Sequence, residues 1–165
     1  MATHIAYLSV GSNMGDKRSN CERGIEDLTA SGAAALLARS PLYKTEPVDY
    51  LEQDWFVNAV IKIETAEGPY ELLARLKEIE RNNGRTGGAR RFGPRVLDLD
   101  ILMFDDLVVK SSRLTLPHPR MHQRRFVLQP MCDIDPFVVH PVLKESMRQL
   151  LDQIAAKAQK VILYR

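Results

Sequence analysis

The chain has 165 residues, of which 45% are apolar, with nine glycines and nine prolines; this is the length and composition of one folded domain and excludes a disordered or collagen-like chain. Its two cysteines, Cys21 and Cys132, stand far apart with no C-x-x-C partner, which excludes a disulfide framework or a cysteine zinc site and fits a reducing, cytoplasmic setting. The formal charge is only +2, but many of the arginines crowd into residues 81–125, a local basic cluster that suits an anionic ligand.

In chain order, "HIAYLSV" at 4–10 reads as a strand, its apolar run too short for a signal-peptide core or a membrane span. The loop "GSNMGD" leads to a helix with Asp16 as N-cap, Cys21, Ile25 and Leu28 on one face, and Gly32 as its stop. Residues 34–44, "AALLARSPLYK", predict a second strand. The alternation of Trp55, Val57, Ala59, Ile61 and Ile63 with Phe56, Asn58, Val60, Lys62 and Glu64 predicts a third. "GPYELLARLKEIERNNG" is a helix with Pro69 in its first turn, Leu72, Leu76 and Ile79 on one face, and Gly84 at its end. A fourth strand starts near Val96. The order β-α-β-β-α-β is that of the ferredoxin-like α+β unit, an antiparallel sheet with both helices on one face. Beyond it, residues 107–110 are expected to pair back onto 96–104 through an Asp105-Asp106 turn. A helix around 143–157 and an edge strand at 160–164 complete one domain over 1–165.

Within "VLDLDIL", Leu97, Leu99 and Ile101 point to one face of the fourth strand and Asp98 and Asp100 to the other, about 6–7 Å apart along it. Two carboxylates that close raise each other's pKa unless a cation compensates, and Mg²⁺ is typically held by one or two carboxylates together with substrate phosphates. A solvated sheet face, or pairing with Arg91 and Arg95, accounts for the same acids. Arginine forks match phosphate oxygens, and Arg85, Arg91 and Arg95 precede the acids while Arg120, Arg124 and Arg125 follow them. "GRTGGARRFG" at 84–93 holds four glycines and reads as a lid over a nucleotide, or equally as a solvated loop. No G-x-x-x-x-G-K-[ST] occurs, which excludes the P-loop class. His118, between two prolines, suits a rigid donor to phosphate. His122 is treated as an ordinary surface residue. Asn58 shares a strand face with Phe56, a pairing that suits a flat heterocycle or, equally, an edge polar residue beside a core aromatic.

With these residues assembled, the sequence resembles the 6-hydroxymethyl-7,8-dihydropterin pyrophosphokinases of folate biosynthesis over essentially the whole chain. The motifs are "VGSNMGD" (10–16), "YKTEPV" (43–48), "FVNAV" (56–60), "IERNNGR" (79–85), "RFGPRVLDLDILMF" (91–104) and "LTLPHPRMHQRRFVLQPM" (114–131). The resemblance implies a ferredoxin-like fold and transfer of the β,γ-diphosphate of ATP to the hydroxymethyl group of the pterin, with release of AMP and use of two Mg²⁺ ions. Carried over by position, Asp98 and Asp100 are the metal ligands, and with Arg85, Arg91 and Arg95 they form the catalytic set. Leu73, Lys77, Glu80, Arg95, Ile101, Arg113, Thr115, His118 and Arg124 bind ATP. Gly11, Thr45, Val48, Phe56, Asn58, Phe92 and Phe126 bind the pterin. Glu46 departs from the pattern where a second loop proline is frequent, Phe92 where tryptophan is frequent, and Gly87-Gly88 where basic residues are common. The expected partners are these small molecules alone, with no nucleic acid and no membrane, acting on a cytoplasmic monomer.

An RNA-binding module of the same element order should carry stacking aromatics in K/R-G-F/Y-G/A-F-V-x-F/Y, and no such run is present. A polymerase-β-type nucleotidyltransferase places its Gly-Ser turn shortly before its acids, whereas Gly11-Ser12 lies far upstream of Asp98. A pure small-molecule sensor has no need for both acids, His118 and the arginines together.

Overall fold

The computed structural model describes residues 2–47, 51–84, 94–155 and 158–164. Asp16 accepts a hydrogen bond from Ser19 N at 3.1 Å and so opens helix α1 (Lys17–Ala30), satisfying one of the N–H groups that a first turn leaves without an internal partner. Its Cys21, Ile25 and Leu28, spaced three and four apart, are buried. Helix α2 (Pro69–Asn82) starts on Pro69 and buries Leu72, Leu76 and Ile79; Gly84 follows at φ 98°, a left-handed conformation open to a residue without a β-carbon.

These helices lie on one sheet. Strands β1 (His4–Ser12) and β4 (Phe56–Thr65) form its centre, and β5 (Asp98–Phe104) lies outside β1. On the other side of β4 run β2 (Ala34–Arg39) and β3 (Tyr43–Thr45), with β8 (Val161–Leu163) beyond β3. Every pairing is antiparallel, so the expected βαββαβ order and the C-terminal edge strand are both present. The helix-facing core joins Cys21, Leu28, Leu72 and Leu76 to Leu8, Val10, Ile61, Leu97 and Leu99.

Four expectations are corrected. The segment 34–44 is two strands, because Pro41 has no N–H for a ladder. Beside it Ser40 takes over the contact with β4: its N–H donates to Val60 O and its Oγ accepts from Val60 N, both at 2.9 Å. Residues 107–110 do not return onto β5. Asp105 instead continues the pairing with β1, its N–H donating to Ile5 O at 2.7 Å and its carboxylate accepting from Ile5 N at 2.8 Å. The chain then forms a separate hairpin of β6 (Val109–Lys110) and β7 (Thr115–Leu116). The helix expected around 143–157 is only α4 (Met147–Asp152), and a helix not expected at all, α3 (Arg125–Ile134), precedes it. The two helices of the βαββαβ unit share one face, as expected, and Val127, Leu128 and Met131 of α3 and Met147 and Leu150 of α4 cover Tyr7, Val60 and Met103 on the opposite side. The fourth strand begins at Asp98, two residues after the expected start.

Candidate active site

The sheet register aligns the chemistry. Gly11 lies opposite Asn58 on β4 and, on its other side, opposite Asp98 on β5. Residues opposite each other in antiparallel pairs project from the same face. Leu97, Leu99 and Ile101 are turned into the core beneath α1 and α2, so Asp98 and Asp100 point away from it. With strands about 4.8 Å apart, Asn58 and Asp98 stand roughly 10 Å from each other across Gly11. A β-carbon on Gly11 would collide with Asn58 Oδ1, so the missing side chain leaves the room that the Asn58 amide fills. Asn58 is buried, and its Nδ2 donates to Thr45 Oγ1 at 2.5 Å. Thr45 is itself buried and lies opposite the half-buried Phe56.

Asn13, which sequence reasoning missed, binds three segments at the rim. Its Oδ1 accepts from Arg95 N at 2.8 Å, its N–H donates to Arg95 O at 3.0 Å, and its Nδ2 donates to Gln53 Oε1 at 2.8 Å. The only signal for it was a polar residue in the Gly-Ser-Asn turn. Arg95 is buried, with Nη1 donating to Pro94 O at 3.0 Å.

Burial, then the charges of Asp98 and Glu80, hold the Asp100 carboxyl well above the usual carboxylate range, and Lys77 and Arg124 offset this only in part. Such crowded negative charge is what a hard divalent cation relieves. Among the described residues no group of three or more His, Cys, Asp or Glu side chains could hold a metal. The chemistry of two carboxylates on one face fits Mg²⁺ completed by substrate phosphates.

His118 sits beside this charge. Its N–H donates to Leu102 O at 2.8 Å, and its Nδ1 accepts from Arg120 N at 3.1 Å, which leaves Nε2 as the protonated, donating nitrogen. Burial, then Arg124 and Arg120, push its pKa down to about 4, so at neutral pH it is an uncharged donor.

Glu80, expected at the nucleotide, has a structural part here as well. Its carboxylate is 1% exposed, and Oε2 accepts from Leu99 N at 2.8 Å. Because β5 is the outermost strand, that N–H has no strand partner, and Glu80 fixes the residue between the two acids. Glu80→Ala is expected to lower unfolding free energy by about 1–3 kcal/mol and to reduce turnover by loosening β5. Denaturant unfolding beside the rate checks this, and unchanged stability would refute it. Ile101 is buried in the core, so only its backbone is left to meet a ligand. Leu73 is half-buried against the same core and Lys77 is exposed one turn further along α2. Arg113 is exposed and stacks over Tyr70 at 5.3 Å, Thr115 is half-buried on β7, and Arg124 lies 5.4 Å over the Phe126 ring. Arg85, Arg91, Val48 and Phe92, and with them the glycine-rich segment after Gly84, lie outside the described residues.

The model of the 7,8-dihydro-6-hydroxymethylpterin-pyrophosphokinase (HPPK) family matches residues 7–136. The chain belongs to this family. It is 37% identical over 157 residues to the 2-amino-4-hydroxy-6-hydroxymethyldihydropteridine pyrophosphokinase of Bacillus subtilis, covering 95% of this chain and 91% of that protein. The corresponding protein of Methylorubrum extorquens is 40% identical over 149 residues, 90% of this chain and 92% of its own length. It is also 40% identical to the folic acid synthesis protein fol1 of Schizosaccharomyces pombe, but spans only 21% of that longer protein. A crystal structure of Plasmodium falciparum HPPK-DHPS with pteroate superimposes with a TM-score of 0.73 at 17% identity, covering 92% of this chain and 43% of that one, and so shares the fold. As an HPPK, the chain is a pyrophosphokinase of folate synthesis, an enzyme with ATP as co-substrate. No helix among the described residues is long and apolar enough to cross a membrane.

Proposed function

We propose that this HPPK transfers the β,γ-diphosphate of ATP to the hydroxymethyl group of 6-hydroxymethyl-7,8-dihydropterin, with two Mg²⁺ ions held at Asp98 and Asp100. The observation that carries this is the alignment of Asp98, Gly11 and Asn58 on one face of three adjacent strands. Asn58 and Thr45, with Phe56 and Phe126 as aromatic walls, hold the flat pterin at one end of the row, and Val48 and Phe92 belong to the same pocket. The acids hold the cations and phosphates at the other end. Gly11, with no side chain of its own, leaves room for the Asn58 amide between the two ends, and the hydroxymethyl group reaches from the pterin toward the phosphates.

The hydroxyl oxygen bonds to the β-phosphorus as the bond from that phosphorus to the α-phosphate oxygen breaks; AMP leaves with that oxygen, and the hydroxyl proton is released to solvent. When bound, Mg²⁺ neutralises charge on the phosphates and holds their oxygens in place. Arg85, Arg91 and Arg95 neutralise the transferring group, and His118, with its Nε2 proton, donates to a phosphate oxygen without adding charge. Arg113, Thr115 and Arg124 hold the rest of the nucleotide, together with Leu73, Lys77 and the Ile101 backbone. Positioning and charge compensation supply the rate enhancement, so no covalent intermediate is needed. The chain works as one domain and as a monomer, without nucleic acid or membrane, in the cytoplasm.

The deciding measurement is AMP release from ATP and Mg²⁺ with and without the hydroxymethyldihydropterin. Pterin-dependent AMP is expected, and its absence would refute the assignment.

A further inference from the structure

Gln159 is 4% exposed and joins two segments far apart in the chain. Its Oε1 accepts from Phe126 N at 3.2 Å and its Nε2 donates to Glu46 O at 2.9 Å. The first bond meets a need of α3, whose N-cap residue Arg124 supplies no side-chain bond and whose first N–H groups have no partner within the helix. The second fixes the backbone just after β3, one residue beyond Thr45. Neighbouring groups continue the same clasp. Glu46 N donates to Lys160 O at 3.2 Å, the Glu46 carboxylate accepts from Lys160 N at 2.7 Å, and Arg125 Nη1 donates to Gln159 O at 3.2 Å. A proline at position 46 would offer neither the N–H nor the carboxylate, so this clasp goes with the departure from the family's frequent residue.

We propose that Gln159 is a positioning residue for the pterin, setting the distance between the Thr45 edge and the Phe126 wall. This rests on the assignment of Thr45, Asn58 and Phe126 to the pterin pocket. A flat heterocycle that must stack on one element while hydrogen-bonding to another depends on their spacing, and displacement by about 1 Å weakens such a site severely. β3 is only three residues long and α3 enters from a different layer, so the spacing is set by what bridges them: the Tyr43 hydroxyl of β3, which donates to the Asp133 carboxylate near the far end of α3, and Gln159 at the end where Phe126 lies. A buried amide with both ends bonded is a rigid bridge.

The test is Gln159→Met in the intact chain, which keeps the volume and removes both hydrogen bonds. Two affinities are measured with Mg²⁺ present: that of a non-hydrolysable ATP analogue, and that of 6-hydroxymethyl-7,8-dihydropterin on the analogue-bound enzyme. The expected result is about tenfold weaker pterin binding, with a matching loss in kcat/KM for the pterin and the analogue affinity unchanged. Unchanged pterin affinity would overturn the proposal, as would equal losses for both ligands, which mark general loosening. Gln159→Asn, too short to span both partners, is measured alongside and decides by the same criteria if the methionine variant does not fold. Asn58→Ala separates the two levels of inference. If it abolishes pterin binding while the Gln159 variants do not, the bridge alone fails; if it too leaves binding intact, the pocket assignment fails.

Discussion

Replacing Asp98 or Asp100 with asparagine is expected to lower turnover on the order of a thousandfold while the fold survives. Asparagine keeps the shape of aspartate, and the strand it sits on is held independently by the Val10 pairing and by the Glu80 carboxylate on Leu99 N. What is lost is one negative oxygen of the pair proposed to hold the cation. The stability of the Mg²⁺-free protein should move the other way at Asp100. Its carboxylate is buried beside Asp98 and Glu80, and removing its charge removes that repulsion. The Asp100→Asn variant is therefore expected to unfold at a temperature equal to or above that of the parent without Mg²⁺, and to lose the stabilisation that Mg²⁺ and ATP together give the parent. Calorimetry with and without Mg²⁺-ATP, beside the AMP-release rate, reads both effects. Near-normal turnover in either variant would remove the metal assignment.

The parts of this fold that were legible in the sequence are those written by local periodicity. Asp16, Cys21, Ile25 and Leu28 spelled out α1, Pro69 and its leucines α2, and the two-residue alternation through Ile63 β4. The same alternation placed Asp98 and Asp100 on a common face. What was not legible depended on partners distant in the chain. Pro130 concealed α3, although a proline in the second turn of a helix forfeits only one backbone hydrogen bond, and Val127, Leu128 and Met131 were already spaced for one face. The Asp105-Asp106 pair looked like a hairpin turn, but Asp105 spends its carboxylate on the start of β1, a choice that nothing in residues 96–110 records. Glu80 was placed near the nucleotide by the family resemblance alone, and nothing local in the sequence told of its second partner. Its burial against Leu99 N became visible only once α2 had been packed along the edge of the sheet. Sequence resemblance supplied the proposed roles of the site residues; the register shows that Gly11 lies between Asn58 and Asp98, which no local pattern records.

Gly11→Ala is expected to weaken pterin binding by about tenfold or more and to leave ATP binding in place, for a reason that lies outside the backbone. Gly11 is not among the residues with positive φ, so alanine can adopt its strand conformation. The added methyl group would instead occupy the face between Asn58 and Asp98 and collide with Asn58 Oδ1. Asn58 must then turn, which breaks its hydrogen bond to Thr45 Oγ1. Overpacking of this kind costs about 1–3 kcal/mol of stability. A double-mutant cycle separates crowding from a backbone effect. If Asn58 is the obstacle, the Asn58→Ala variant already lacks it, and adding Gly11→Ala to that background should cost little further stability. Pterin affinity should remain low in the double variant, since the amide proposed to read the heterocycle is gone. Stability losses that simply add would place the cost of Gly11→Ala away from Asn58. Preserved pterin affinity in Gly11→Ala alone would show that the Asn58 position set by Gly11 is not what holds the pterin.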